Sequence, residues 1–311
     1  MKYDQTTKSL IVQLHKDGLT SRQIARELDI GKSGVNNFLN KYFADLPTKN
    51  YYLLDIEVAP DTVVTHRRYD VSHTQDAVIH QGGYILSYAI KRLNAREPTK
   101  VISKVLTPEE AKAGNDYYLA MELKILLDRA SVVLGHNLDK YDIPVIRSRL
   151  AVHNLGGLHR FRTIDTLKLA RQMKFQSNKL GDLGVILGVG EKLKHDGITL
   201  WAKCKAGDEE ALQTLLEYNE QDVHLLEAVY SKLAPVAKMP FSAGLFAEDE
   251  KLRCPSCGSS NTKAGETIIG DLQMQFTSAG KYQEHFCYDC GSTFRDKQNV
   301  LSKDKRKNLG V

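Results

Sequence analysis

Residues 51–60 read YYLLDIEVAP, an apolar run rich in aromatic and branched residues that has the pattern of a buried β-strand. Two acids, Asp55 and Glu57, interrupt it two positions apart. On a strand, side chains at i and i+2 leave the same face with Cα atoms roughly 7 Å apart, so both carboxylates aim at one spot. Burying such a pair costs several kcal/mol or neutralises it unless a metal, basic residues or open solvent meets it. Whatever this chain folds into must therefore bring a partner to that spot.

The rest of the chain has the size for it. With 311 residues and 42% hydrophobic residues, it exceeds one typical domain and has the means for a core plus appendages. The net charge of +5 permits a polyanionic partner without demanding one. Residues 1–50 are the more basic end, where Lys2, Lys8, Lys16, Arg22, Arg26, Lys32, Lys41 and Lys49 outnumber Asp4, Asp17, Glu27, Asp29 and Asp45. No apolar run approaches the roughly 18 residues that span a bilayer, so a soluble, cytoplasmic protein without a membrane partner is expected. Of the five cysteines, Cys254, Cys257, Cys287 and Cys290 form two CxxC pairs and Cys204 stands alone, a pattern of metal binding in a reducing compartment.

Residues 1–46 carry short helical patterns. Leu10, Ile11 and Leu14 make one apolar face, and GLTSRQIARELDIGKSGVNNFL reads as a helix, a tight turn and a second helix. Thr20 and Gln23 match a capping box. With Val35, Phe38 and Leu39 inward, the last helix leaves Lys32, Ser33, Asn36, Asn37 and Asn40 exposed. The segment resembles a helix-turn-helix, which implies nucleic-acid contact through Lys32, Asn36 and Asn37; the plainer alternative is a small trihelical protein-contact module.

Residues 50–235 alternate strand and helix patterns, the mark of an α/β layered domain. YYLLDIEVA, TVVTHRRY, YILSYAIKRL, VISKVL, SVVLGHN and FRTIDTL read as strands, and YYLAMELKILLDRA, DIPVIRSRLAV and EEALQTLLEYNEQDVHLLEAVYSKL as helices. In residues 248–296, the two CxxC pairs each run directly into a glycine, Gly258 or Gly291, and their separation leaves room for a small antiparallel sheet. That spacing predicts a zinc ribbon with Cys254, Cys257, Cys287 and Cys290 holding one structural Zn²⁺, as a clamp on nucleic acid, a protein contact or a stabilised terminus. Residues 297–311 read as a solvated basic tail.

Partners for Asp55 and Glu57 are offered by GHNLDKYDIP, with Asp142, and by YNEQDVHLLEAVY, where Asp222 follows Tyr218 by one helical turn. Singly, Asp142 is as readily a helix cap and Asp222 an exposed helical charge. As an ordered set, DxE at Asp55 and Glu57, NxxxYD from Asn137 to Asp142, and YxxxD from Tyr218 to Asp222 resemble the three exonuclease motifs of the DEDD superfamily. They are similar to those of DNA polymerase proofreading domains and YprB-like ribonuclease H-fold proteins. A second branch of the superfamily has His five residues before the last Asp; Glu217 stands there, so the tyrosine branch is indicated.

The resemblance implies a ribonuclease H-like mixed sheet flanked by helices and a site for two Mg²⁺ or Mn²⁺ ions, which four oxygen donors suit better than they suit zinc. It further implies that Asp55 bridges both ions, Glu57 and Asp222 hold the ion carrying the nucleophilic water, Asp142 helps position the second, and Tyr218 orients the water. On this reading the cluster needs no basic neighbours, because cations arrive with the substrate. Asp165 falls outside the motif order and reads as a helix cap or supporting residue. His136 and Asn137 steady their loop or touch substrate, and His195 has no partner at ligand spacing.

The implied function is a 3′ to 5′ exonuclease acting on single-stranded 3′ ends, with DNA modestly favoured over RNA because of the helical module. By analogy, such an assembly suits a phage or bacterial nucleic-acid processing factor, with replication or repair partners unspecified. Two alternatives stand beside it: an RNA-processing exoribonuclease, and a nucleic-acid-binding regulator whose α/β core is a scaffold without turnover.

Overall fold

The structure is a computed structural model of the 311-residue chain. It describes all residues except 1–2, 4, 17–18, 46–49, 66–76, 94–98, 195, 265–273 and 310–311. His195 and the second half of the TVVTHRRY segment lie outside the described residues. The chain divides into two compact units, one of Met1–Lys49, Asn94–Thr99 and Ser231–Val311, the other of Asn50–Leu93 and Lys100–Tyr230.

In the first unit, α1 (Gln5–Lys16), α2 (Ser21–Glu27) and α3 (Lys32–Asp45) pack around buried Ile11, Ile24, Ala25, Val35 and Leu39. Leu10, expected on the inner face, is exposed, so Ile11 alone of that adjacent pair enters the core. Thr20 caps α2 in the expected capping box with Gln23. The helix ends with Asp29 in the left-handed region (φ 49°), and the Ile30 amide bonds back to the Ala25 carbonyl at 2.9 Å, a Schellman-type stop that turns the chain toward α3.

The second unit is built on a five-stranded mixed sheet. Its strands are β1 (Tyr51–Val58), β4 (Ile85–Arg92), β5 (Ile102–Val105), β6 (Val132–Gly135) and β7 (Arg162–Asp165), in the order β5-β4-β1-β6-β7. β1 pairs antiparallel with β4 and parallel with β6. β2 (Thr62–Thr65) and β3 (Ala77–Gln81) form a separate two-stranded ribbon. Every β4 residue but Arg92 is buried, in keeping with a mainly apolar sequence in which Ser87 and Lys91 are the buried polar exceptions. This is the ribonuclease H-like mixed sheet flanked by helices expected from the motifs.

Helices α4 (Pro108–Ala113), α5 (Tyr117–Leu127) and α6 (Asp142–Val152) follow. On α5, Leu119, Leu123 and Leu127 recur every four residues and are buried. Next come α7 (Thr166–Ala170), α8 (Leu180–Ile186), α9 (Ile198–Lys205) and the long α10 (Glu209–Leu233). The bounds of α6 and α10 agree with the sequence patterns; the strand expected over FRTIDTL ends at Asp165, where the expected cap starts α7, whereas α4, α8, α9 and β3 had no expectation.

β1 and β6 pair only from Tyr51 to Leu53, so the carboxyl half of β1 runs free of its parallel neighbour. Gly135 sits where the two part: a Cβ there would lie 2.8 Å from Leu138 and 3.1 Å from the Leu54 carbonyl. A ligand crevice belongs at such a place, beyond the carboxyl ends of strands where the sheet changes direction.

The C-terminal segment returns to the first unit. β8 (Thr262–Ala264), β9 (Gln275–Thr277), β10 (Gly280–Cys287) and β11 (Thr293–Asn299) form a small antiparallel sheet centred on β10. The expected basic tail from residue 297 begins inside β11, and Ser302 caps a short helix, α11 (Lys303–Lys307).

Candidate active site

Asp55 and Glu57 leave the same face of β1, opposite Ala89 and Ser87 on β4. These small partners leave room for α10. The Asn219 amide fills it, accepting from the Ser87 hydroxyl at 3.0 Å and donating to Asp55 Oδ2 at 2.6 Å. Three residues on, Asp222 lies on the same face of α10. Carboxylate oxygens of Asp55, Glu57 and Asp222 come within 4.8 Å of one another. Asp142, the first residue of α6, is buried beside them but is not one of that closest trio.

Three donors reach the trio from three different segments. Besides Asn219, the Trp201 indole on α9 donates to Glu57 Oε2 at 2.8 Å. Lys192, on the loop between α8 and α9, forms an ion pair with Asp222 and donates to the Tyr218 hydroxyl at 2.8 Å. Its ammonium also lies 5.0 Å from the Tyr218 ring centroid, and Trp201 meets that ring edge-on at 5.8 Å. Lys192 is a basic neighbour that the sequence-based reading of the cluster did not call for.

Crowding governs the ionisation of the acids. Burial, then the charges of Glu57 and Asp222, push the Asp55 carboxyl well above its ordinary value, against the pull of Lys192 and Asn219. Burial also pushes Glu57 up to about 7, with the Trp201 hydrogen bond opposing. Asp142 is raised by burial and by Asp55, while its own amide and that of Ile56 restrain the shift. For Lys192, burial works against the charge but Asp222 and Tyr218 outweigh it and raise its value. Tyr218 rises to about 12, chiefly from burial and the Asp222 charge. An all-oxygen set of clustered carboxylates that resist ionising together fits a hard divalent cation.

The loop from β6 to α6 is held from below. Asn137 takes a left-handed conformation (φ 62°), and its amide donates to Asp165 Oδ1 at 2.9 Å. Asp165 caps α7 through the Leu167 amide, so the acid outside the motif order binds backbone rather than joining the cluster. His136 bonds the Thr166 hydroxyl at 2.9 Å, and burial lowers its pKa. Glu217 is exposed and bonded to Gln213 at 3.0 Å. Beside Glu57 opens a cavity of about 690 Å³, lined among others by Pro60, Tyr141, Ser148, Ile198 and Trp201.

Residues 81–234 match a family model described as the RNase_H superfamily. The matched segment, 154 of the 311 residues, is similar to that superfamily, in keeping with the RNase H-like sheet described above. Within the match lie Asp142, Tyr218 and Asp222, while Asp55 and Glu57 precede it on β1. No curated protein matches the chain. Among solved structures, it is similar to the family B DNA polymerase from the hyperthermophilic archaeon Pyrobaculum calidifontis, with 15% identity and a TM-score of 0.45 over 60% of this chain and 24% of that one. It is also similar to Trypanosoma brucei RNase D, with 14% identity and a TM-score of 0.37 over 68% of this chain and 66% of that one. The chain thus spans less than two thirds of the length of either.

Outside the RNase H-like domain, Cys254, Cys257, Cys287 and Cys290 form a second cluster. Two sulfur pairs, Cys254 with Cys290 and Cys257 with Cys287, each stand 3.6 Å apart. Four thiolates about 2.3 Å from one zinc ion would be about 3.8 Å from each other, so the donor set fits zinc. Gly258 (φ 77°) and Gly291 (φ 78°) turn the two knuckles alike, each amide bonding the carbonyl of the first Cys at 2.8 Å. Cys204 is apart from them, buried in the RNase H-like core, and burial pushes its thiol up to about 12. On α3, Lys32, Asn36 and Asn37 are exposed, with Asn36 already accepting a bond from Ser21 at 2.7 Å. No helix among the described residues is long and apolar enough to cross a membrane.

Asn219, Trp201 and Lys192 are the site residues that the sequence reading missed. Asn219 was within reach, three residues before Asp222 on one helix face. Trp201 is the chain's lone tryptophan, a weaker sign. Lys192 sits among glycines and lysines in GVGEKLKHDG, with no spacing relation to any motif.

Proposed function

We propose that the protein is a divalent-metal-dependent 3′ to 5′ exonuclease of the tyrosine DEDD type, acting on single-stranded nucleic-acid ends with DNA favoured. The convergence of Asp55, Glu57 and Asp222 on an RNase H-superfamily sheet, with Tyr218 one turn before Asp222, carries this reading. Asp55, Glu57 and Asp222 would hold the Mg²⁺ or Mn²⁺ ions, and Asp142 stands close enough to raise the local negative charge. Bound there, such ions activate a water and stabilise the leaving oxygen of an in-line displacement at phosphorus.

The side chains prepare that site. Asn219 and Trp201 each hold one oxygen of Asp55 and Glu57, leaving the other oxygen of each to turn inward. Tyr218, un-ionised at neutral pH, offers its hydroxyl to orient a water. The cavity beside Glu57, walled by Tyr141 and Trp201, suits a terminal base stacked on an aromatic face. We further assign one structural zinc to the four clustered cysteines, and nucleic-acid contact to Lys32, Asn36 and Asn37 of a helix-turn-helix-like module, with Asn137 beside the substrate path. The corresponding division is 1–46, 50–235, 248–296 and a basic end.

Incubation with single-stranded DNA, duplex DNA and RNA, labelled at either end, tests the reading. With Mg²⁺ or Mn²⁺, 5′-labelled single strands should shorten stepwise, and EDTA or Asp55→Asn should stop this. Metal-dependent release from the 5′ end, or full activity in Asp55→Asn, would refute it.

A further inference from the structure

We propose that Lys192 is a built-in counter-ion, which a divalent cation must displace from Asp222 and Tyr218 on entering the cluster. The proposal rests on the reading that Asp55, Glu57 and Asp222 hold that cation. Three observations lead to it.

The first is chemical. An ammonium has only protons to offer, and Lys192 directs two of its donors at Asp222 and the Tyr218 hydroxyl, two groups assigned to the metal and its water. A divalent ion on the same carboxylate would meet a full positive charge at hydrogen-bonding distance, with the low polarity of a buried site to strengthen the repulsion. Lysine and cation compete for one place.

The second observation is the difference in freedom between the partners. The Asp222 side chain is 2% exposed and held on α10, whereas that of Lys192 is 33% exposed. Lysine has a way out to solvent and Asp222 does not, so displacement moves the lysine.

The third lies in the loop. Lys192 is carried between Gly188 (φ 65°), Gly190 (φ 136°) and Gly197 (φ 60°), and its stem runs along Gly181 of α8, where a Cβ would meet Lys192 Cγ at 3.1 Å. The glycine at 181 lets the lysine stem lie flat against α8 and reach inward. Retraction requires only new rotamers of a four-carbon stem, with the glycines ready to absorb any backbone change. The arrangement also explains how a trio of acids can fold before any cation arrives: one of the three is neutralised from within.

Mn²⁺ titration of the full chain, with free ion followed by electron paramagnetic resonance, reads the competition directly. Asp55→Asn identifies the share of binding that belongs to the carboxylate cluster. Lys192→Met should bind Mn²⁺ at that cluster about tenfold more tightly than the unmutated protein, the change expected when a competing contact of modest strength is removed. A merely structural lysine would give the opposite result, since its loss would loosen the site. Cluster binding left unchanged or weakened in Lys192→Met would overturn the counter-ion proposal alone. Absence of any Asp55-dependent binding in the unmutated protein would overturn the metal reading and the proposal with it.

Amine acetylation of the unmutated protein, quantified by mass spectrometry, gives a second readout that needs no variant to fold. Saturating Mn²⁺ should raise labelling of Lys192 relative to the exposed Lys194, because the displaced amine becomes free to react. Labelling that stays level or falls would refute displacement.

Discussion

Asp116→Asn should destabilise the RNase H-like domain by about 3 to 5 kcal/mol near neutral pH, the range for breaking a buried ion pair from one side. The Asp116 carboxylate is fully buried and accepts four bonds. Oδ1 takes Arg149 Nη2 at 2.7 Å and His153 at 2.6 Å; Oδ2 takes Arg149 Nε at 2.8 Å and the Ile85 amide at 2.9 Å. Asparagine has nearly the same shape, but in either orientation its NH₂ would face two donors. Two bonds to a charged group are lost, each worth about 1.5 to 3 kcal/mol, and the 15%-exposed Arg149 side chain keeps a charge without its counterpart.

The pH dependence has a definite sign. Burial alone would raise the Asp116 pKa, but bonds from Arg149, His153 and Ile85 overcome it and hold the value below the ordinary one. A depressed carboxyl contributes stability in full above its unfolded value, and loses it as pH falls through the folded value. The gap between unmutated protein and Asp116→Asn should therefore close as pH drops below about 4. Urea unfolding followed by tryptophan fluorescence suits the measurement, because the chain's single tryptophan, Trp201, lies in this unit. A gap under about 1 kcal/mol at neutral pH, or one that does not narrow in acid, would refute the argument.

Other changes separate the remaining assignments. Trp201→Phe keeps an aromatic wall on the cavity but removes the donor to Glu57, so turnover should fall about ten- to hundredfold with substrate affinity little altered; an unchanged turnover in single-turnover assays counts against the role. Cys254→Ser should lose the zinc that Cys204→Ser retains at one per chain, by elemental analysis; zinc retained in the first or depleted in the second reverses the assignment. Deleting residues 1–46 should weaken DNA binding and flatten its salt dependence, measured by fluorescence anisotropy, while the rate on saturating short strands holds; an unaltered salt slope would make the module a protein contact.

How much of this was legible in the sequence depended on how local the cause was. The limits of α6 and α10 could be read because an acid at the first turn of one and sustained 3.6-residue periodicity in the other are properties of the segment itself. Capping of α2 by Thr20 and of α7 by Asp165 is similarly local. Between residues 166 and 206, three short helices are joined by irregular connections, the second of them glycine-rich. None is long enough to display a period, and their positions follow from what they pack against: at Gly184 of α8, a Cβ would lie 2.5 Å from the Gly190 carbonyl and 2.7 Å from Leu225 of α10. Lys192 and Trp201 belong to this stretch, and their reach to the carboxylates exists only once the sheet and α10 are in place.

The three donors divide the work unequally, and the division follows from what a cation site requires. Asp55 and Glu57 are met by neutral groups, the Asn219 amide and the Trp201 indole. A neutral donor can orient one carboxylate oxygen without repelling an ion on the other, so both bonds can persist with the site loaded. Asp222 is met by a charge. Had all three partners been lysines, the cluster would be stable and unable to take up metal; had all three been neutral, burial would drive the acids toward protonation and leave a cation to compete with protons instead. One ammonium on Asp222, the least exposed of the three acids, with neutral donors on Asp55 and Glu57, offsets part of the burial and crowding that hold the acids above their ordinary values, and leaves two of them without a charge to displace.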